Sequence, residues 1–184
     1  MNAYSAFDQK TNKILGKQAG FTLLEMLIVL VVIAILAALA GPSFMATIAN
    51  AEVNGTRNKL ASAAQFARSE ALKRKTPVSV CASADQATCS NGTDWENGWL
   101  VFSDANGNGA LDGGEPVLQV EYAANQLNTY NDGGAIVTFN RIGRAVTGAG
   151  DYAFCHPEQA SRGRVVRITV TGSVERQQET IGGC

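Results

Sequence analysis

The chain has 184 residues with a formal net charge of −1, and 46% of the residues are hydrophobic. A charge this close to neutral excludes the strongly basic composition of proteins that coat nucleic acid, and no internal repeat or low-complexity tract is evident. Once one long apolar segment is set aside, about 140 residues remain, which is enough for one small domain with its own core.

The amino-terminal part combines a basic leader with that apolar segment. Residues 1–20 are polar with a basic bias, whereas Phe21–Gly41 contains a single charged residue, Glu25. As a helix the apolar segment would be about 30 Å long, just enough to cross a bilayer once. Because positive charges stay on the cytoplasmic side of a membrane, we expect the rest of the chain on the opposite side.

The carboxylate of Glu25 is unexpected in this segment. An acid costs about 3 kcal/mol at the centre of a membrane-spanning helix and less toward its ends. One interpretation is a capping box, in which Thr22 is the N-cap and Glu25 stands three residues later. Such a cap contributes about 1 kcal/mol to helix stability.

A second helical stretch follows the apolar one. Pro42 predicts a kink or a local break, and Pro77 predicts the end of the helix. Between them, apolar residues recur at i, i+3, i+4 and i+7, which indicates one buried face. The predicted buried face consists of Leu60, Ala63, Ala64, Ala67, Ala71 and Leu72, and the predicted solvated face carries Arg57, Lys59, Arg68, Lys73 and Arg74.

After Pro77 the sequence changes to short apolar runs separated by Gly, Asn and Asp, a pattern typical of strands and turns. The predicted strands are Val78–Cys81, Trp99–Ser103, Pro116–Tyr122, Ala135–Asn140, Asp151–Cys155 and Val165–Thr171. A helix followed only by strands predicts an α+β fold in which an antiparallel sheet lies on the helix.

All four cysteines lie beyond the apolar segment, in the part of the chain that is expected to leave the cytoplasm. An even number of cysteines there favours two disulfides formed in an oxidising compartment. Three pairings are open, of which we favour Cys81–Cys89, closing a short loop, and Cys155–Cys184, fastening the carboxyl terminus. The spacing between Cys81 and Cys89 does not suit a zinc site.

The stretch Gly-Phe-Thr-Leu-Leu-Glu at residues 20–25, between a basic leader and an apolar run, resembles the prepilin signature of type IV pilins and type II secretion pseudopilins. The resemblance implies that a prepilin peptidase cuts between Gly20 and Phe21 and methylates the new amino terminus. Glu25 would become the fifth residue of the mature chain. Its carboxylate would then pair with the ammonium group of Phe21 on a neighbouring filament subunit.

The stretches WENGWLVFSDANGNGALDGGEPVLQ and FNRIGRA resemble minor subunits of the GspH and FimT type, over essentially the whole chain. The resemblance implies a pilin fold with a leader at 1–20, a transmembrane and assembly helix at 21–41, an amphipathic helix at 42–76 and a periplasmic β-rich domain at 77–184. It further implies a single-pass inner-membrane protein that joins other pilins. Such a subunit would help to initiate a type IV pilus or a type II secretion pseudopilus, which serves protein secretion.

The loop from Asp104 to Glu115 fits the calcium-loop pattern D-x-N-x-N-G-x5-E. Its oxygen-bearing side chains are those of Asp104, Asn106, Asn108, Asp112 and Glu115, a set of the kind that calcium prefers. Predicted strands flank this loop, whereas helices flank an EF-hand, so a Gly- and Asn-rich turn is the alternative. The sequence therefore makes calcium a candidate cofactor and indicates no other.

The carboxyl-terminal part is basic, and Arg162, Arg164, Arg167 and Arg176 are candidate DNA-binding residues. A row of exposed arginines binds phosphates in a salt-dependent manner. FimT-type minor pilins are associated with DNA uptake in natural transformation through a late Gly-Arg-x-Arg motif, but residues 172–175 here read Gly-Ser-Val-Glu. The alternative is that these arginines are solvated, or ion-paired with acids from the middle of the chain.

Nothing in the sequence predicts an enzyme. The one histidine, His156, lies beside Cys155 and Pro157, where a role in a turn is expected. No phosphate-binding loop, zinc motif or nucleophile elbow occurs. We therefore expect a structural subunit.

Overall fold

The computed structural model describes residues 20–90, 92–122, 127–157 and 163–177, without the side chains of 39–43. One long helix, α1, spans Leu23–Arg74. The strands that follow it are β1 (Val78–Ala82), β2 (Gly98–Ser103), β3 (Val117–Tyr122), β4 (Asn128–Asn131), β5 (Ile136–Phe139), β6 (Ala145–Thr147), β7 (Gly150–Cys155), β8 (Arg164–Ile168) and β9 (Val174–Gln177). A short 3-10 helix, Trp95–Asn97, precedes β2.

Contacts divide the chain into two units, Met1–Gly41 and Pro42–Cys184, and α1 runs through both. The helix is assigned without interruption at Pro42, so the predicted local break there is wrong. Proline removes one N–H from the ladder of a helix, and the remaining hydrogen bonds are sufficient to continue it. Counting only residues that the structure describes, no helical stretch is long and apolar enough to cross a membrane.

The strands of the second unit form two antiparallel sheets. The first has the order β3-β2-β1-β5-β6, and the second has the order β4-β7-β8-β9. The predicted α+β fold, a long helix on an antiparallel sheet domain, is therefore confirmed. Three strands that the sequence did not predict, β4, β6 and β9, each lie at an edge of a sheet.

One hydrophobic core joins the second half of α1 to both sheets. From α1 it takes mainly small side chains, including Ala63, Ala64, Ala67 and Ala71, all fully buried. From the strands it takes larger ones, listed here by sheet: Val80, Trp99, Val101 and Phe139 from the first, and Tyr152, Phe154, Val166 and Ile168 from the second. Leu72 was predicted in this buried face, but it is 39% exposed. The prediction for Leu72 is therefore wrong: the neighbouring Ala71 is buried in the core, whereas the side chain of Leu72 lies at its margin, beside Gly143.

The first sheet has a second apolar cluster on its other face, formed by Cys81, Leu100 and Phe102. Leu111, from the loop after β2, and Cys89, from the loop after β1, pack against that cluster. The predicted disulfide Cys81–Cys89 is confirmed and joins Cα atoms 5.6 Å apart. Cys155 is buried and disulfide-bonded. The favoured partner of Cys155 was Cys184, which lies outside the described residues.

Candidate assembly site at the start of α1

The first turn of α1 is capped by a side chain. The N–H of Glu25 donates to Oγ1 of Thr22 over 3.2 Å, and the N–H of Met26 donates to the Thr22 carbonyl over 3.2 Å. Thr22 therefore acts as the N-cap, and it satisfies N–H groups that have no partner at a helix start. In the described part of the chain the carboxylate of Glu25 does not return a bond to Thr22, so only half of the capping box forms.

This leaves the Glu25 carboxylate exposed at the head of an apolar helix. It takes part in no ion pair among the described residues. The large apolar side chains around and after it are exposed by 46% to 85%: Leu23, Leu24, Met26, Leu27, Ile28, Val29, Leu30, Val31, Val32, Ile33, Ile35 and Leu36. A helix that is apolar on every side is stable only when lipid or other helices surround it. A carboxylate at its head can then pair with a cation supplied from outside the chain.

The residues before the cap are accessible. Gly20 and Phe21 precede the first helical residue, and the side chain of Phe21 is 77% exposed. The predicted cleavage position thus lies at exposed, non-helical residues directly before the helix. Cleavage at this position and methylation of Phe21 stay predictions.

The five oxygen-bearing residues of the predicted calcium loop lie together in one turn between β2 and β3. Their oxygens accept hydrogen bonds from the turn itself. The carboxylate of Asp104 accepts the N–H groups of Asn108 and Gly109, and the carboxylate of Glu115 accepts those of Ala105 and Asp112. The side-chain oxygen of Asn106 accepts the N–H of Asn108, and that of Asn108 accepts the N–H of Ala110. The side-chain amides of Asn106 and Asn108 bind Asp112 and lower the pKa of its carboxyl group. Within the described residues, no three His, Cys, Asp or Glu side chains gather into a metal-binding group.

The four predicted DNA-binding arginines are not brought together as one set. Arg167 forms a two-point ion pair with Asp151, at 2.7 Å and 2.6 Å. Arg176 is paired across the strands with the core residue Val166, so Arg164 and Arg176 lie on the face of β8 and β9 that is turned toward the core. Arg162 lies outside the described residues.

A third arginine, Arg57 from α1, joins Arg164 and Arg176. Burial lowers the pKa of the Arg57 guanidinium, and the positive charges of Arg164 and Arg176 lower it further. Its Nη1 donates to the carbonyl of Gln177 over 3.4 Å, while its buried Nε has no hydrogen-bond partner among the described residues. The sequence pattern placed Arg57 on the solvated face of the helix, and nothing in it indicated this convergence of three elements.

Comparison with known proteins identifies the family. The model of the family described as type II transport protein GspH matches residues 56–173, more than half of the chain. The prokaryotic N-terminal methylation motif matches residues 15–41, which include Gly20, Phe21 and Glu25. No curated protein sequence matches the chain.

The fold is similar to that of a solved structure, the type IV minor pilin FimU of Pseudomonas aeruginosa strain PAO1. One crystal form is 20% identical, with a TM-score of 0.53 over 68% of this chain and 88% of FimU. A second form is 20% identical, with a TM-score of 0.51 over 67% of this chain and 91% of FimU. At this identity the similarity shows the fold alone.

Proteins of this family are structural pilin-type subunits that assemble with other pilins, are processed by a prepilin peptidase and are anchored in a membrane. The family model covers α1 from Thr56 onward and strands β1 to β8, and the methylation motif covers the capped start of α1. The chain therefore belongs to the GspH family of type II transport proteins, as a minor pilin or pseudopilin of the type IV pilus and type II secretion class.

Proposed function

We propose that the chain assembles into a type IV pilus or a type II secretion pseudopilus and helps to initiate it. The observation that carries the proposal is the exposed Glu25 carboxylate at the head of α1, where the apolar side chains from Leu23 to Leu36 are exposed on every side. In a filament the surrounding helices would cover those side chains, and a neighbouring subunit would supply the cation.

The proposed path from synthesis to filament follows the order of the chain. Residues 1–20 form a leader that prepilin peptidase removes, and the new amino terminus at Phe21 is methylated. Residues 21–41 then hold the subunit in the inner membrane, with residues 42–76 completing the helix and 77–184 forming the periplasmic domain. The apolar sequence of residues 21–41 supports this topology, together with the basic bias of the residues before it.

Pairing explains why an acid is kept in the apolar segment. The ammonium group of Phe21 on one subunit and the Glu25 carboxylate of the next would leave polar surroundings together, and each would compensate the charge of the other. Removing one partner of a buried pair costs about 3–5 kcal/mol, because the remaining charge is left without compensation. Each subunit both donates and accepts this contact, so it favours a continuous polymer.

The substitution Glu25→Ala tests the pairing. We expect the amount of the subunit in sheared filaments to fall at least tenfold, while its amount in the membrane fraction and the removal of the leader stay unchanged. Glu52→Ala is the matched control, because Glu52 is a helical glutamate of the second unit, outside the apolar segment. Incorporation of Glu25→Ala at the wild-type level would contradict the proposal.

Processing is tested by the mass of the mature protein. We expect the chain from membranes to begin with an N-methylated Phe21, and Gly20→Val to retain the leader, because the larger side chain obstructs the residue at which the peptidase cuts. A mature protein that still begins at Met1 would overturn the proposed processing without bearing on the fold.

The initiating role is tested by counting filaments. Deletion of the gene should reduce the number of filaments per cell, while the length of the remaining filaments stays the same. A subunit that only extended filaments would instead shorten them, and that result would contradict initiation.

Capture of DNA at a pilus tip is a second candidate, supported by the convergence of Arg57, Arg164 and Arg176. The test is fluorescence anisotropy of duplex DNA with the full chain in detergent across a salt series. Three phosphate contacts predict a slope of log K against log salt of about −2.7. The triple substitution to alanine should abolish binding, whereas Arg167→Ala, which removes an arginine already paired with Asp151, should not. Absence of binding at low salt would exclude this candidate.

A further inference from the structure

The carboxyl end of α1 and two neighbouring turns carry exposed apolar side chains among cations. Leu72, Ile142 and Val170 are 39%, 65% and 57% exposed. Lys75, Arg141 and Arg144 are exposed in the same segments. We call these six residues the helix-end surface.

The turn that presents Arg141 and Ile142 is rigidly built. The side-chain oxygen of Asn140 accepts the N–H groups of Ile142 and Arg144 over 3.1 Å and 3.0 Å. The N–H of Gly143 donates to the Asn140 carbonyl over 2.8 Å. These bonds use the backbone and one amide, so the side chains of Arg141, Ile142 and Arg144 are left to face outward.

The segments of the helix-end surface are packed against each other. Nε of Arg68 donates to the carbonyl of Gly143 over 3.0 Å, which ties the turn to α1. A Cβ atom on Gly143 would lie 3.2 Å from Cγ of Leu72, and one on Gly172 would lie 1.9 Å from the carbonyl oxygen of Gly143. Glycine at these two positions lets the two turns and the end of α1 pack together. The helix-end surface is therefore formed before a partner binds, and a preformed surface loses little conformational entropy on binding.

The surface also contains a cleft lined by two cations. The cleft has a volume of about 570 Å³, and Lys75, Pro77, Arg141 and Ile142 are among the residues that line it. The nearby acid, Glu70, is already bound by Lys73 and Arg74. In the described part of the chain Lys75, Arg141 and Arg144 form no ion pair, so the helix-end surface has unbalanced positive charge.

The apolar content favours a protein partner over a nucleic acid. Phosphate backbones bind polar cationic surfaces and single-stranded bases stack on aromatic rings, but the helix-end surface has no aromatic residue. Exposed aliphatic side chains surrounded by unpaired cations instead match a protein surface with an apolar centre and carboxylates around it. Such complementarity determines which partner binds and in which orientation.

We propose that the helix-end surface docks an acidic face of another pilin-type subunit in the same filament. The proposal rests on the proposed function and adds to it the surface and the chemistry of one subunit contact. Carboxylates of that subunit face Lys75 and Arg141 at the cleft, and its apolar side chains cover Leu72 and Ile142.

The partner is identified by placing the photo-crosslinking residue p-benzoylphenylalanine at position 142 in the full chain, expressed in its host with the complete set of pilin subunits. We expect a crosslink to a peptide of another pilin subunit that contains Asp or Glu. A crosslink to DNA, to a second copy of this chain or to a protein of another class would overturn the proposal. So would the absence of any crosslink when the chain is present in filaments.

Charge reversal supplies the second measurement. The double substitution Arg141→Glu with Arg144→Glu should lower the crosslink yield and the incorporation into filaments at least tenfold, with the leader still removed and the circular dichroism spectrum unchanged. Substituting lysine at both positions should retain at least half of each signal. Lys59→Glu, which reverses an exposed cation of α1 outside this surface, is the control and should leave both signals unchanged.

The measurements distinguish failure of the docking contact from failure of the proposed function. If the wild-type chain is absent from filaments, both proposals fail. If it is present and the doubly reversed variant is incorporated equally well, the docking contact alone is overturned.

Discussion

Asp104 is the residue on which the turn between β2 and β3 depends. It is fully buried, and its Oδ2 accepts the hydroxyl of Ser79 over 2.7 Å and the N–H of Gly109 over 2.9 Å. Ser79 is also bonded to Thr138 on β5. A buried carboxylate is tolerated because such donors replace the water it has lost. One side chain thus joins the turn to two strands of the first sheet.

Replacing Asp104 with alanine should lower the free energy of unfolding by about 3 kcal/mol, because the N–H of Gly109 loses its acceptor and the buried hydroxyl of Ser79 loses its bond to the carboxylate. This corresponds to roughly a 10 °C fall in the melting temperature, which is measured on the full chain in detergent by circular dichroism. Asp112→Ala is the matched control. Asp112 is exposed and accepts only side-chain amides, so its loss should change the melting temperature by about 2 °C or less. Equal effects would contradict this account.

Asp85 makes the stability of the domain depend on pH. The N–H groups of Ala87 and Thr88 and the hydroxyls of Thr88 and Ser83 hold the pKa of its carboxyl group well below the usual range. A lowered pKa in the folded state means that the unfolded state binds the proton more readily. The stabilisation is therefore present above pH of about 4, the value for an unfolded chain, and is lost as the pH falls below it.

The substitution Asp85→Asn keeps an acceptor for these donors but removes the titration. We expect its melting temperature to fall less steeply than that of the wild type between about pH 5 and pH 2. Asp94→Asn is the control, since the side chain of Asp94 makes no capping hydrogen bond and the variant should follow the wild type. Parallel curves for wild type and Asp85→Asn would show that Asp85 does not contribute to the acid sensitivity.

At the scale of elements, every strand inside a sheet could be predicted, and so could the edge strand β3, but the edge strands β4, β6 and β9 could not. β1 and β2 were predicted to within a residue at either end, because their buried side chains form apolar runs. The unpredicted strands β4, β6 and β9 have mostly exposed or half-buried side chains and start or end a sheet. Their conformation is imposed by hydrogen bonds to a neighbouring strand, a long-range effect that leaves no local pattern.

The composition of the turn between β2 and β3 fits a calcium loop. Its side-chain oxygens, however, already accept hydrogen bonds from the N–H groups and amides of the same turn. We expect the melting temperature of the full chain to change by less than about 2 °C between excess calcium and excess chelator, since bound calcium would have to displace N–H donors from Asp104 and Glu115. A known calcium-binding protein in the same buffer controls for chelation. A larger rise with calcium would establish a metal site there.

For the whole molecule, the sequence predicted which residues start α1 but not which surfaces the fold creates. Thr22 and Glu25 could be identified because the cap is local, a matter of three residues. The meeting of Arg57 with Arg164 depends on how β8 and β9 pack on α1, and the helix-end surface depends on two turns brought to the last residues of the helix. Both surfaces join residues far apart in sequence, which no periodicity encodes.

The division into two units predicts that the second unit folds without the first. Its core cluster begins at Val53, and every member of the cluster belongs to Pro42–Cys184. Residues 42–184 produced alone should therefore melt within about 3 °C of the full chain in detergent, because burial of the core is unchanged.

The same fragment should be missing from filaments, since it lacks Glu25 and the apolar segment. A fragment that cannot fold would show that residues before Pro42 contribute to the core, and a fragment that enters filaments would contradict assembly through the first unit.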